Sequence, residues 1–451
     1  MTRRRRFVII AAVAVAVLAV AIATQAPKVP IASGYVAKRL AAGHFVTGAD
    51  IRTDVLGDDV LLGLLTITVD AAGGSVGADW WGHEPRLARY RPGLGTVLVV
   101  DPNRPIAAAA GMVLPPIADD GWLGAVLIDD PRSQALDAVL DVAFAQDGEP
   151  EDAIDTRAIL VWQDGALVAE RYAAGKSPQR RFLGWSMAKA VSTALAGRLV
   201  HEGRWRLDEA TGLWPPEDPR AGITLEHLLR MTSGLDFIER AAVSDVTRML
   251  YASVDAAAYA AARPGVAAPG ARYNYSTGDT VLLCAAMRRR FELDTAYHRY
   301  PHDALFAPLG MSSAVLETDQ AGNFLGGSML YATARDWLRF GCFLMQDGVW
   351  RGERLLPEGF VAACREPAPH QDRLDLDWRF GRGMWIDHER RWLPDAPQDC
   401  FVIWGHHQQV LTIVPSRKAV LLRLGLTRQP EDWDHNAFVR DVLAALDLSD
   451  G

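Results

Sequence analysis

Two hairpin signals at opposite ends of a long segment constrain this chain most. The first pairs AILVWQ with ALVAERY around Asp164-Gly165, inside Thr156 to Tyr172. An Asp-Gly step between strand-like runs is a strong hairpin signal. The second pairs Val410 to Pro415 with Ala419 to Gly425 around Ser416-Arg417-Lys418. Short strand patterns at Gly381 to Ile386 and Phe401 to Gly405 precede it. Between the two ends the apolar spacing is mostly helical, at Thr224 to Met231, 241–263, 280–290 and 333–346. Helices are also read at Ser133 to Ala145 and Asn436 to Leu446. The economical arrangement is one antiparallel sheet whose first and last strands meet. The helical middle is then an inserted lobe, with a site at the seam.

The chain has 451 residues, enough for about two or three domains. A net charge of −8 argues against nucleic-acid binding. Cys284, Cys342, Cys364 and Cys400 form no Cys-x-x-Cys pair. Buried thiols are expected, with a Cys364–Cys400 disulfide as the alternative. At the N-terminus, Arg3 to Arg6 precede an unbroken apolar run from Phe7 to Ala23. This reads as a signal peptide or a membrane anchor, the latter favoured. Ala21-Ile22-Ala23 leaves cleavage open. The implied location is extracytoplasmic or periplasmic, with a transmembrane helix over 7–23 as signal anchor to the inner membrane. The expected division is 1–30 as signal or anchor, 31–129 as a small region of unknown role, and 130–451 as the catalytic unit.

Residues 31–129 carry strand patterns at Val60 to Val69 and Thr96 to Val100, punctuated by prolines. Gly73-Gly74-Ser75-Val76-Gly77 matches the Gly-x-Ser-x-Gly nucleophile elbow, which needs a strand before it and a helix after it. The ADWWGHEPR that follows is no helix opening. His406-His407 has no third metal ligand at suitable spacing nearby. No metal and no cofactor are expected.

The chemistry concentrates in Gly184-Trp185-Ser186-Met187-Ala188-Lys189. Ser-x-x-Lys arises about once by chance in a chain this long at average composition. Here, however, lysine is scarce: only Lys28, Lys38, Lys176, Lys189 and Lys418 occur, among many arginines. Arginine replaces lysine as a surface charge but cannot lose its proton. Ser186 and Lys189 lie one helical turn apart on an apolar helix. A lysine with a lowered pKa can take the proton from a serine hydroxyl. The bland alternative is an N-cap serine with a surface lysine. Tyr275, in the turn-rich stretch after Pro269-Gly270, is either a packing aromatic or a phenol relaying protons near Lys189.

Taken together, these segments resemble the serine β-lactamase and penicillin-binding-protein superfamily. Ser186-Met187-Ala188-Lys189 is similar to its first motif. Pro269-Gly270-Ala271-Arg272-Tyr273-Asn274-Tyr275-Ser276-Thr277 resembles the Pro-Gly…Tyr-x-Asn motif of the class C-like branch. Gly405-His406-His407-Gln408-Gln409 looks like the Gly-His-Gly-Gly-Gln form that replaces Lys-Thr-Gly. HLLRMTSGLDF (227–237), LFAPLGM (305–311) and YATARDWLRFG (331–341) look like linking blocks of the same family. The resemblance runs over roughly 130–446, and is greatest to 6-aminohexanoate-dimer hydrolases and β-lactamase-fold esterases.

It implies an α/β fold of the α+β type: an antiparallel sheet flanked by helices with an inserted helical lobe, preceded by the hydrophobic segment and the small extra region. It further implies Ser186 as the acylated nucleophile, Lys189 as its base and Tyr275 as proton relay. The backbone N–H groups of Ser186 and Gln409 would form an oxyanion hole. His406 would take the place of the third-motif lysine, near a substrate carboxylate or the Tyr275 hydroxyl. Two departures bear on substrate. Thr277 stands where the motif has asparagine, and Gln408 where it has glycine. The expected function is an exported serine hydrolase of small ester or amide substrates. The alternatives are a D-alanyl-D-alanine peptidase or β-lactamase, a catalytically silent binding protein using the same cleft, and, last, an α/β-hydrolase acting through Ser75.

Overall fold

The computed structural model describes residues 28–49, 63–108, 115–118, 120–145, 154–241, 243–371 and 378–447. Its centre is a seven-stranded antiparallel sheet. In chain order its strands are β5 (Thr156–Gln163), β6 (Ala166–Tyr172), β10 (Arg379–Phe380), β11 (Trp385–Ile386), β12 (Phe401–Gly405), β13 (Gln409–Val414) and β14 (Ala419–Gly425). Across the sheet the order is β10-β11-β12-β13-β14-β5-β6. The two ends of the segment meet where β14 pairs with β5, Leu421 opposite Val161 and Leu422 opposite Leu160. The β5–β6 turn has Asp164 and Gly165 both at positive φ, 46° and 92°, the conformation that favours Asp-Gly there.

Both faces of the sheet are buried, so its strands alternate between two cores. Ile159, Val161 and Leu421 face one core with Leu136, Leu140, Val439 and Val442 of helices α2 (Pro131–Phe144) and α9 (His435–Leu446). Leu160, Leu422 and Leu411 face the other, against α3 (Ala188–His201) and α8 (Ala334–Met345). Helix α8 comes so close that a β-carbon on Gly341 would lie 2.6 Å from the Val420 side chain. The helical lobe includes α4 (Leu225–Leu229), α5 (Asp245–Ala252), α6 (Ala256–Ala261) and α7 (Thr277–Arg288). A three-stranded sheet, β7-β9-β8 (Arg181–Leu183, Leu330–Thr333, Val315–Leu316), joins lobe and body.

The N-terminal region is a four-stranded antiparallel meander of β1 (Thr66–Asp70), β2 (Ser75–Trp80), β3 (His83–Arg91) and β4 (Gly95–Val99), with α1 (Val29–Ala42) packed across it. This helix begins at Val29. Buried Lys38 of α1 pairs with buried Glu317 at 2.7 Å and donates to Thr96 Oγ1 at 3.2 Å. The Gly73-x-Ser75-x-Gly77 match falls at the β1–β2 turn and on β2, so it opens a strand rather than a helix. Among the described residues, all four cysteines are buried free thiols.

The expectation of a hydrophobic, membrane-spanning N-terminal segment is corrected. No helix among the described residues is long and apolar enough to cross a membrane. Residues 7–23, on which the anchor was read, lie outside the described residues. The first described helix, α1, has 14 residues and buries Lys38 and Arg39 inside the protein. At about 1.5 Å per residue it falls well short of the roughly 30 Å of a bilayer core. The transmembrane helix, the signal anchor, the membrane as a partner and the inner-membrane location are therefore withdrawn.

Candidate active site

Strand β7 delivers the chain to Gly184, where a β-carbon would sit 2.2 Å from the Trp337 ring. Trp185 then takes a positive φ of 50°, a strained conformation for a bulky side chain. Trp185–Met187 form a single 3₁₀ turn that runs directly into α3. Ser186 on that turn and Lys189 in the first turn of α3 are three residues apart and share one face.

Lys189 is 2% exposed. Its Nζ lies 2.9 Å from each of three oxygens: Ser186 Oγ, Thr277 Oγ1 and the Gly327 carbonyl. Burial pulls its pKa from the usual lysine value down to about 8, opposed by the Glu239 carboxylate. Tyr275 lies beside the Ser186–Lys189 pair, its ring centroid 5.0 Å from Lys189 Nζ. Burial and then Glu239 push the phenol well above its ordinary pKa, so it stays protonated. The ring stacks on Trp385 at 5.1 Å and meets the edge of Phe380 at 5.6 Å, which fixes its plane.

Thr277 opens α7, whose start is capped by Ser276 accepting from Asp279 N–H at 3.0 Å. The Thr277 N–H donates to Glu239 Oε2 at 2.9 Å, and its hydroxyl donates to Glu239 Oε1. Glu239 and Gly327 were not foreseen. Glu239 lies just past the block HLLRMTSGLDF, and nothing in its spacing marks it.

The end of β12 forms the facing wall. His406 meets Trp185 edge-on at 5.3 Å, and the His406 and His407 rings are 3.8 Å apart. His406 is open to the cleft, yet partial burial and the nearby Arg39 charge hold its imidazole below the ordinary range. It is therefore neutral at pH 7 and does not reproduce the charge of a lysine. His407 and Gln408 both take φ of 61°. That left-handed backbone is what a glycine provides without strain, and Gln408 stands where the motif has one. The Gln408 carbonyl accepts from Arg423 Nη1 at 2.8 Å. Gln409 turns its side chain away from the cleft, bracketing Gly425 by accepting from its N–H at 3.1 Å and donating to its carbonyl. Among the described residues no three His, Cys, Asp or Glu side chains converge as a metal site.

A cleft of about 1160 Å³ opens over Ser186. The clustered Trp378, Trp385 and Trp404 line it, as do Val246, Leu250 and Tyr251 of α5. Tyr35 of α1 also lines it, edge-on to Tyr251 at 5.3 Å. The N-terminal region thus contributes to the cleft wall.

A sequence profile described as Beta-lactamase matches residues 141–444. A 6-aminohexanoate-dimer hydrolase of Paenarthrobacter ureafaciens is 24% identical over 390 residues, covering 80% of this chain and 96% of that protein. Among solved structures, a penicillin-binding protein homologue from Caulobacter crescentus is similar with a TM-score of 0.54 at 17% identity, covering 71% of this chain and 99% of that one. EstCE1, a hydrolase with promiscuous acyltransferase activity, is similar with a TM-score of 0.50 at 17% identity, covering 70% and 98%.

Proposed function

The chain belongs to the Beta-lactamase family, a superfamily of hydrolases and penicillin-binding proteins, and from that premise we propose that it is a serine hydrolase cleaving ester or amide bonds through an acyl-enzyme on Ser186. One observation carries the reading: the Ser186 hydroxyl lies 2.9 Å from the amine of a buried lysine, and the Tyr275 ring centroid is 5.0 Å from that same amine. Groups whose environments push their pKa values apart divide into base and acid. Lys189, lowered, is the base, and Tyr275, raised, is the acid.

Lys189 Nζ takes the Ser186 proton as Oγ bonds to the substrate carbonyl carbon, and the carbonyl electron pair moves onto oxygen. The backbone N–H groups of Ser186 and Gln409 hold that oxyanion. Tyr275 passes a proton to the leaving oxygen or nitrogen as its bond to carbon breaks, and the proton on Lys189 replenishes Tyr275. Water then attacks the acyl carbon by the same route and frees Ser186.

The aromatic side chains in the cleft lining fit an apolar acyl or leaving group beside the scissile bond. The name of the Paenarthrobacter protein, a hydrolase of an amino-acid dimer, brings linear amides into the proposed class. A neutral His406 in place of a cationic lysine, with Thr277 in place of asparagine, disfavours a β-lactam or D-peptide carboxylate. The test is fluorophosphonate labelling with mass-spectrometric mapping, then a panel of esters, linear amides, D-peptides and penicillins. Labelling of Ser186 with turnover of esters or amides, abolished in Ser186→Ala, is expected. An unlabelled Ser186 at high probe concentration would mean a silent binding protein, and a stable penicillin adduct a peptidase or β-lactamase.

A further inference from the structure

A lysine that serves as a base must present a lone pair, and a neutral amine has two N–H donors and one lone pair. Lys189 Nζ has three oxygen neighbours at the same 2.9 Å. What decides where the lone pair points is which neighbours can only accept. The Gly327 carbonyl has no proton to give. Thr277 has one, but it is committed: its hydroxyl donates to Glu239 Oε1, while its backbone N–H donates to Oε2 of the same carboxylate. Both Glu239 oxygens are therefore acceptors for Thr277, and the Thr277 hydroxyl is left able only to accept from Lys189. Both lysine N–H bonds then have fixed destinations, and the lone pair is left facing Ser186 Oγ. Close packing keeps the two acceptors in place, since a β-carbon on Gly327 would lie 2.7 Å from the Thr277 methyl.

We propose that Glu239 and Thr277 form a positioning pair that aims the Lys189 lone pair at Ser186, standing in for the asparagine that the Tyr-x-Asn motif carries at position 277. An asparagine there would offer Lys189 a side-chain carbonyl, which is an acceptor without help. A threonine hydroxyl is ambiguous and becomes an obligate acceptor only because a carboxylate takes its proton. The inference rests on Lys189 acting as the base of Ser186.

Glu239→Gln keeps size and shape but changes the logic. Its carbonyl still accepts from the Thr277 N–H, and its amide now donates to the Thr277 hydroxyl. That hydroxyl's own proton turns toward Lys189 and occupies the lone pair. Misaiming a reacting group at this range costs on the order of 10²-fold.

The experiment measures the rate at which a fluorophosphonate labels Ser186 in the purified full chain. In that reaction Ser186 Oγ bonds to phosphorus and fluoride leaves, with the hydroxyl proton going to Lys189. Glu239→Gln and Thr277→Val should each label roughly 10²-fold more slowly, with Thr277→Ser near wild type. Glu239→Gln combined with Thr277→Asn should recover to within about ten-fold of wild type, because the asparagine carbonyl accepts from Lys189 unaided. A merely structural role for Glu239 would leave the double variant no faster than the single one. Wild-type labelling with Glu239→Gln unaffected, or with no rescue by Thr277→Asn in a variant that melts like wild type, overturns the positioning pair alone. A wild-type protein unlabelled at Ser186 overturns the hydrolase reading beneath it.

Discussion

Gly184 and Gly405 meet so closely that a β-carbon on Gly405 would lie 2.1 Å from the Gly184 carbonyl oxygen. The contact sets the Ser186 turn against the end of β12, bringing Trp185 to His406. Gly405→Ala must therefore push β12 and the nucleophile turn apart. Overpacking of this kind costs about 1–3 kcal/mol. Because the displaced backbone belongs to the site, hydrolysis should fall by roughly 10²-fold, more than stability alone explains. Thermal melting beside ester turnover checks this, and an alanine variant with full turnover would show that the two elements need no such approach.

The depressed Lys189 pKa carries a pH signature. The amine must be neutral to accept the Ser186 proton, and its pKa sits at about 8. Thus kcat/KM should rise with pH, about ten-fold per unit on the acid side, and level off above about 8. Lys189→Arg keeps the charge but cannot lose its proton, so it should lose essentially all turnover at every pH. A rate independent of pH between 6 and 9 (roughly the range in which such a lysine titrates) would remove Lys189 as the base.

Much of the fold was legible because its signals are local. Asp164-Gly165 declares its own hairpin, and Ser186 and Lys189 advertise each other through a spacing of three. The two-faced burial of β5 and β14 makes near-continuous apolar runs that bracket the helical middle. What escaped notice depends on contacts far apart in sequence. Glu239 is tied to Thr277 across 38 residues, and no pattern around it hints at the partner. Gly327 contributes only a carbonyl, which has no residue signature. Helix α1 was hidden by its neighbour: the apolar run before it pointed to a membrane, and nothing local marks Lys38 and Arg39 as buried. Gln408 was read only as a departure bearing on substrate, whereas the glycine preference at that position is also one of backbone angle.

Lys38 binds the N-terminal region to the body. Both it and Glu317 are buried, at 1% and 0% exposure, and they pair at 2.7 Å. Burial lowers the lysine pKa and Glu317 opposes that shift. Removing one partner of such a pair strands a buried charge at a cost of about 3–5 kcal/mol. Lys38→Met should lower stability by that amount in urea titration. Lys38→Met with Glu317→Leu should recover most of it, since an apolar pair of similar volume is often as stable. Loss of less than about 1 kcal/mol in the single variant would mean that the charges are not sequestered.

Tyr35 gives the N-terminal region a stake in substrate choice. It lines the cleft from α1 and meets Tyr251 of α5 edge-on at 5.3 Å. As part of the cleft wall rather than of the Ser186–Lys189 pair, Tyr35 is expected to contact the extended group of a substrate. Tyr35→Ala should therefore raise KM for a long-chain ester while leaving kcat nearly unchanged, the pattern expected when ground state and transition state lose the same contact. A short acetyl ester should show neither change. Lost burial of part of one aromatic ring corresponds to about 1–2 kcal/mol, or roughly ten-fold in KM. Comparing acetyl and decanoyl esters of one phenol in wild type and variant reads this directly. Equal ratios for the two esters would confine the role of Tyr35 to packing against Tyr251, and substrate choice would then rest on the catalytic body alone.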